Sequence, residues 1–300
     1  MRKATLNFTQ ISAWFFSALA LVAVIGGLIL LILDSIPALK HEGLGFVTGT
    51  RWFFRQEEFG TAPMIYGSLV VALIAILLAA PIGISAAVFG VEFLPPKWRL
   101  ALKVTIELLA GIPSVVYGLL GVLLLRNWIY DLFSPFDLLS GDTLLTAGVL
   151  LGVMILPTVM TLSDDALRSV PAKQRLAARG LGLNSSETAL YVSLPQAAPG
   201  LLAAVLLGIG RALGETIAVF LVVGRQDNQW PSSILAGKPW LESGQTITSK
   251  LGGSETNIAY GQPLHWGAIT GLGLLLLGIV VAVTFLGLWL HQLALKRHET

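Results

Sequence analysis

Apolar residues form six long runs in the chain, each close to or above the roughly 20 residues that a helix needs to cross a bilayer. The runs comprise residues 11–33, 64–91, 104–125, 144–162, 201–223 and 266–290. None alternates strictly between apolar and polar positions, as a transmembrane β-strand does. The pattern predicts an all-α polytopic membrane protein with six transmembrane helices in a single domain, residues 1–300. The first run exceeds the apolar core of a signal peptide, so we expect it to remain as a helix.

Composition supports this class and excludes several others. Of 300 residues, 55% are hydrophobic and 12% are charged, and the net charge of +2 gives no reason to expect nucleic acid binding. The chain contains no cysteine, which excludes disulfides and thiolate metal ligands. The four histidines form no pair with metal-ligand spacing. We therefore expect neither a metal nor a cofactor.

The distribution of Lys and Arg predicts the orientation in the membrane. With the N-terminus inside, the cytoplasmic segments hold eleven of them, including Arg2 and Lys3, and the outside loops hold seven. Cytoplasmic segments carry the excess of positive charge in membrane proteins. Both termini are therefore predicted to be cytoplasmic, as is segment 163–200, with loops 35–63 and 224–265 outside.

The two outside loops differ in character. Residues 51–55, RWFFR, combine aromatic and basic side chains and are predicted to anchor the chain at the headgroup level. Loop 224–265 is long enough either to dock a partner or simply to connect two helices.

Three charged residues fall inside the predicted spans: Glu107, Arg211 and Glu215. A charge at the centre of a membrane helix costs about 2.5–3.5 kcal/mol on the insertion scale. Glu107 lies near a basic loop, so a local or interhelical ion pair is expected for it in preference to a pathway role. Arg211 and Glu215 are spaced i, i+4 on the predicted fifth helix, so they can share one face and neutralise each other.

The stretch GRALGETIA, residues 210–218, leaves two interpretations open. One is an internal ion pair that only makes insertion tolerable. The other, which we favour, is an anion pathway, because the planar guanidinium of Arg211 suits an oxyanion. Glu215 can accept a hydrogen bond from a P–OH group, which sulfate lacks. Pro113 and Ser114, in the third predicted span, are candidates for a helix kink or gate.

The sequence shows no nucleotide-binding P-loop and no nucleophile–base set for covalent catalysis. Residues 171–200 favour helix, with an interruption at Gly180 and Gly182. A second helix is predicted to begin after Asn184, because Glu187 follows three positions later at the spacing of a capping box. The pattern predicts two short cytoplasmic helices joined by a tight bend. An ordinary connecting loop would look similar.

This segment resembles the EAA loop of ABC importer permeases: LAARGLG at 176–182, nine residues, then VSLP at 192–195. The resemblance implies that Ala177, Ala178, Gly182, Leu194 and Pro195 belong to a helix that couples the permease to a separate ATP-hydrolysing subunit. Leu176 stands where the family has glutamate, so any polar contact of that position is in doubt.

Three further stretches resemble the phosphate-specific permeases of this class, the PstC family: FG with PMIYG at 59–67, IELLAGIPSVVYG at 106–118, and GRALGETIAV at 210–219. The related PstA permeases fit the second stretch less well. The resemblance implies a type I ABC importer (MetI-like) permease fold and phosphate import across the bacterial inner membrane, with Arg211 and Glu215 on the phosphate path.

The implied partners are two copies of an ATPase, a PstA-like second permease and an extracytoplasmic phosphate-binding protein. The chain itself is expected to be a transport subunit without an ATPase site. The alternatives are the same machine carrying sulfate, molybdate or phosphonate, a membrane enzyme acting on lipid phosphates, and an ion-coupled carrier.

Overall fold

A computed structural model describes residues 8–136, 138–231 and 238–298, and this part of the chain is almost entirely helical. The helices are α1 (Phe8–Glu42), α2 (Gly45–Thr48), α3 (Ala62–Glu92), α4 (Pro96–Ala110), α5 (Ser114–Leu120), α6 (Arg126–Phe133), α7 (Leu144–Ser169), α8 (Ala172–Gly180), α9 (Ser185–Thr188), α10 (Leu194–Gly214), α11 (Ile217–Val222), α12 (Ile247–Leu251), α13 (Glu255–Ala259) and α14 (Pro263–His298). Two short strands, β1 (Trp52–Phe53) and β2 (Glu58–Phe59), pair antiparallel. The predicted all-α class is confirmed.

Within the described residues, six helices are long and apolar enough to cross a membrane, as predicted. They are Ser12–Glu42, Ala62–Glu92, Ser114–Phe136, Leu144–Arg168, Ser185–Gly214 and Pro263–Trp289. The chain is therefore a multi-pass membrane protein. Arg2 and Lys3, which contribute to the predicted orientation, lie outside the described residues.

The third span differs from its predicted bounds of 104–125. Helix α4 ends at Ala110, Gly111 closes it, and the spanning helix begins at Ser114 directly after Pro113. Proline has no N–H to continue a helix and disfavours helical geometry in the residue before it, so the apolar run is divided here. Glu107 consequently lies on α4, outside the third span.

The fifth span also differs from its predicted bounds of 201–223. It starts at Ser185, within the segment predicted to be cytoplasmic, passes through a π-helical turn at Ala189–Ser193 and ends at Gly214. Helix α11 follows after a two-residue break. The prediction of one uninterrupted helix through Glu215 was wrong.

Helices α3 and α7 form the centre of the fold, and α5, α10 and α11 pack around them. Their close approach depends on small side chains: a Cβ on Gly148 would lie 2.6 Å from the Cβ of Ile74. By contrast, α1 exposes most of its apolar side chains, as expected of a helix that faces lipid.

The described part of loop 224–265, which is predicted to lie outside, is folded into one end of this bundle. Every residue from Gly244 to Lys250 is buried, and a Cβ on Gly67 would lie only 2.1 Å from the carbonyl oxygen of Gln245. The N–H of Ile247 donates to Ser68 Oγ over 2.9 Å. The loop is therefore part of the core at this end, which composition alone did not indicate.

A buried charge cluster joins this loop to residues 51–55. Lys250, 3% exposed, pairs with Asp227 at 2.6 Å and with Glu255. Glu255 also accepts hydrogen bonds from Trp52 Nε1 at 2.6 Å and bonds His265 Nε2 at 2.9 Å. Burial alone would raise the pKa of Glu255, but these hydrogen bonds and the Lys250 charge hold it below its usual value. Trp52 is buried here, so the prediction of a headgroup anchor was wrong for that side chain.

Replacing Lys250 with methionine is expected to lower the free energy of unfolding by about 3 kcal/mol, because it leaves two partly buried carboxylates without their cation. Thermal unfolding in detergent would measure the loss. Lys238→Met, at an exposed lysine of the same loop, is the matched control. Equal unfolding temperatures for the two variants would contradict the structural role of the cluster.

Candidate functional site

The fifth span is broken beside the predicted anion site. Glu215 has extended backbone, with φ −74° and ψ 122°, and its Oε1 accepts a hydrogen bond from the N–H of Ala218 over 3.3 Å. The carboxylate thus turns towards the first turn of α11 and satisfies one of its free N–H groups. Arg211 and Glu215 do not share a helix face, and they form no ion pair, contrary to the geometry that i, i+4 spacing predicts.

Arg211 lies in the last turn of α10 with an exposed side chain. Among the described residues, no carboxylate lies within 4.0 Å of its guanidinium. The Tyr117 phenol on α5 lies near enough to be affected by its charge. This arrangement leaves the guanidinium's hydrogen-bond donors available at a helix break, which is the arrangement that an oxyanion requires.

Tyr117 belongs to the stretch IELLAGIPSVVYG at 106–118, and the sequence did not predict a role for it. Its hydroxyl donates to the carbonyl oxygen of Leu109 over 2.9 Å, which ties α5 back to the end of α4 across the break at Pro113. The structure therefore brings the Pro113–Ser114 break and Arg211 into one neighbourhood. A gating role for Pro113 and Ser114 stays a prediction.

Glu107 does not belong to this neighbourhood. Its carboxylate is 3.8 Å from Lys103 Nζ, one turn earlier on α4, and both side chains are partly exposed. The predicted local ion pair is confirmed.

The predicted coupling segment forms the bend that its sequence indicates. Helix α8 is followed by Gly182 with φ +93°, a conformation that favours glycine. The N–H of Glu187 donates to Asn184 Oδ1 over 2.9 Å, and the N–H of Asn184 donates to Glu187 Oε2 over 2.8 Å. The capping box is confirmed, but the second helix is not short, since α9 continues into α10.

The coupling residues divide between two faces. Ala177, Gly182 and Pro195 are exposed, Leu194 is half-buried, and Ala178 is buried. Two apolar side chains project outward beside them: Leu176 is 66% exposed and Leu181 is 83% exposed. An exposed apolar edge on a short polar helix is typical of an interaction surface.

A buried carboxylate that the sequence did not single out lies beneath α8. Glu92, the last residue of α3, has a side chain 1% exposed and lies 3.1 Å from Arg175 Nε on α8. The whole of the third and fourth spans lies between the two residues in the sequence. No local pattern could have found it.

Comparison with known proteins identifies the family. Residues 79–297 match the family described as binding-protein-dependent transport system inner membrane component. The PstC phosphate transport permease of Mesorhizobium japonicum is 32% identical, over 94% of this chain and 87% of that protein. PstC of Haemophilus influenzae is also 32% identical, over 93% and 90%.

Solved structures agree on the fold. A bacterial alginate ABC transporter, solved in complex with a periplasmic protein bound to alginate pentasaccharide, superimposes with a TM-score of 0.53 at 16% identity, over 91% of this chain and 92% of that one. At this identity the likeness concerns the fold alone. The chain belongs to the inner membrane components of binding-protein-dependent transport systems and is a PstC-like permease.

Proposed function

We propose that the chain imports inorganic phosphate into the bacterial cytoplasm as one permease of an ABC importer, with Arg211 on the phosphate path. The observation that carries this is the exposed Arg211 guanidinium at the break between α10 and α11, with no carboxylate within 4.0 Å of it in the described chain. The sequence identity to PstC phosphate transport permeases supports phosphate as the transported anion.

Arg211 would hold phosphate by paired N–H···O bonds, which are short and strong when both partners are charged. The bound phosphate must also be released, so a single arginine suits a transient site better than a set of donors that surrounds the anion on all sides. Glu215 would act beside it: its carboxylate accepts from P–OH, which favours protonated phosphate over sulfate.

The driving force would come from partner proteins. Membership of the family implies an ATPase and a substrate-binding protein. We further propose two ATPase copies at the cytoplasmic bend around Gly182, a PstA-like permease across the path, and a phosphate-binding protein at the outer end. Both termini would then be cytoplasmic.

Replacing Arg211 with alanine is expected to reduce ATP-dependent phosphate uptake about thirtyfold or more, since truncating one partner of a hydrogen-bonded charge pair costs at least about 2 kcal/mol. Uptake into proteoliposomes that contain the complete complex measures this. Arg55→Ala, at an exposed arginine between β1 and β2, is the control and should transport normally. Full transport by Arg211→Ala would refute the role of Arg211 on the phosphate path. Uptake of sulfate in place of phosphate by the wild type would show that the transported anion is sulfate.

The Glu215→Gln variant tests the selectivity hypothesis. Glutamine keeps an oxygen that can accept from Ala218 N–H, so the start of α11 should survive. A neutral acceptor binds P–OH less strongly, and we expect phosphate uptake to fall about tenfold, which corresponds to roughly 1.5 kcal/mol for a hydrogen bond to a charged group. Sulfate should compete better in the variant. Unchanged flux and selectivity would leave Glu215 as a helix cap only.

The exposed apolar edge of the coupling bend provides a separate test. Leu181→Asp places a charge where an apolar contact is proposed, so the ATPase should no longer co-purify with the permease. Leu139→Asp, at a fully exposed leucine outside this segment, should leave co-purification intact. Retention of the ATPase by Leu181→Asp would place the contact elsewhere.

A further inference from the structure

The buried carboxylate of Glu92 is bonded to two segments that are far from it in sequence. Its Oε1 lies 3.1 Å from Arg175 Nε on α8 and accepts a hydrogen bond from Ser193 Oγ over 2.6 Å. Ser193 is fully buried at the end of the π-helical turn that leads into α10. Arg179, one turn beyond Arg175, adds a more distant charge at 3.9 Å.

Arg175 extends this connection to a third spanning helix. Its Nη2 donates to the carbonyl oxygen of Leu167, in the last turn of α7, over 2.5 Å, and its Nε also donates to Ser193 Oγ over 3.2 Å. One side chain of the coupling helix is therefore bonded to the cytoplasmic ends of α3, α7 and the fifth span.

Few other contacts could connect α8 to the spans. The backbone of α8 packs mainly against α9 and the following π-helical turn, which are the continuation of its own chain. Most of its side chains are exposed, apart from Ala178 and Arg175. α8 follows α7 after only Val170 and Pro171, so it is joined to α7 by the chain itself. Its connection to α3 is the Glu92–Arg175 pair.

We propose that Glu92 is a positioning residue that makes the coupling helix and the cytoplasmic ends of the second, fourth and fifth spans move as one body. This rests on the proposed function of the chain as an ABC importer permease. Glu92 touches neither cargo nor nucleotide; it acts by holding Arg175.

We call the contacts of Glu92 with Arg175 and Ser193 the joint, and the chemistry of the Glu92–Arg175 pair fits this role. A buried ion pair adds little net stability compared with apolar side chains of the same volume, but its hydrogen bonds are directional and fix the relative position of the groups. One hydrogen bond and one ion-pair contact meet at Glu92 Oε1, and Arg175 donates two further hydrogen bonds, so a shift of about 1 Å between α8 and α3 would disturb several of these contacts together.

Loss of the joint should therefore separate ATP hydrolysis from transport. In the Glu92→Gln variant the side-chain shape is kept while the charge is lost. We expect the intact complex in proteoliposomes to hydrolyse ATP, with phosphate moved per ATP reduced about fivefold or more, a typical coupling factor between distant sites. Stimulation of hydrolysis by the phosphate-loaded binding protein should fall as well, because that signal must pass from the spans to the coupling helix through the same contacts.

Two further variants keep the test clear. Glu107→Gln makes the same substitution in an exposed ion pair that does not contact α8, and its coupling ratio should equal that of the wild type. Ser193→Ala removes one hydrogen bond to Glu92 without changing any charge. It should lower the ratio in the same direction by a smaller factor, and it serves if Glu92→Gln does not fold.

Each outcome is decisive for one claim. A wild-type complex that moves no phosphate would refute the proposed function, while the stimulation of hydrolysis by the binding protein would still report on the joint. A wild-type coupling ratio in both Glu92→Gln and Ser193→Ala would overturn the joint. Uptake and hydrolysis that fall in parallel with the amount of folded complex would also overturn it, since Glu92 would then only support folding.

Discussion

The cost of placing a charge away from water governs this structure. Glu92 is held by Arg175, and Lys250 by Asp227 and Glu255, so both buried ends of the bundle carry compensated charge. Arg211 is different, because no carboxylate accompanies it in the described chain and Glu215 caps α11 instead. Arg211 has no carboxylate partner in the described chain, and we propose that a transported oxyanion pairs with it.

The architecture connects this cation directly to the coupling bend around Gly182. One helix runs from Ser185, just after the capping box, to Gly214, just after Arg211. Thirty residues of helix span about 45 Å, so one helix, with a π-helical turn at Ala189–Ser193, links the bend to the proposed phosphate path. The Glu92–Arg175 pair connects the same bend to α3 and α7, the two central helices of the fold.

The sequence predicted the features that depend on local pattern. Six apolar runs give six membrane helices, and the Asn184 capping box forms as its spacing indicates. The break at Glu215 was missed because no proline marks it and because i, i+4 spacing favours a continuous helix. Glu92 and Trp52 were missed for another reason: their partners, Ser193 and Glu255, are 101 and 203 residues away, and such pairing follows from tertiary packing.

A structure of the complete complex, trapped with phosphate between its inward and outward states, would test the role of Arg211 most directly. We expect a phosphate oxygen within about 3 Å of the Arg211 guanidinium, the distance of a charge-assisted hydrogen bond, beside the break between α10 and α11. Phosphate bound elsewhere, with Arg211 paired to a carboxylate of the second permease, would contradict that role and leave GRALGETIA as an intersubunit ion pair.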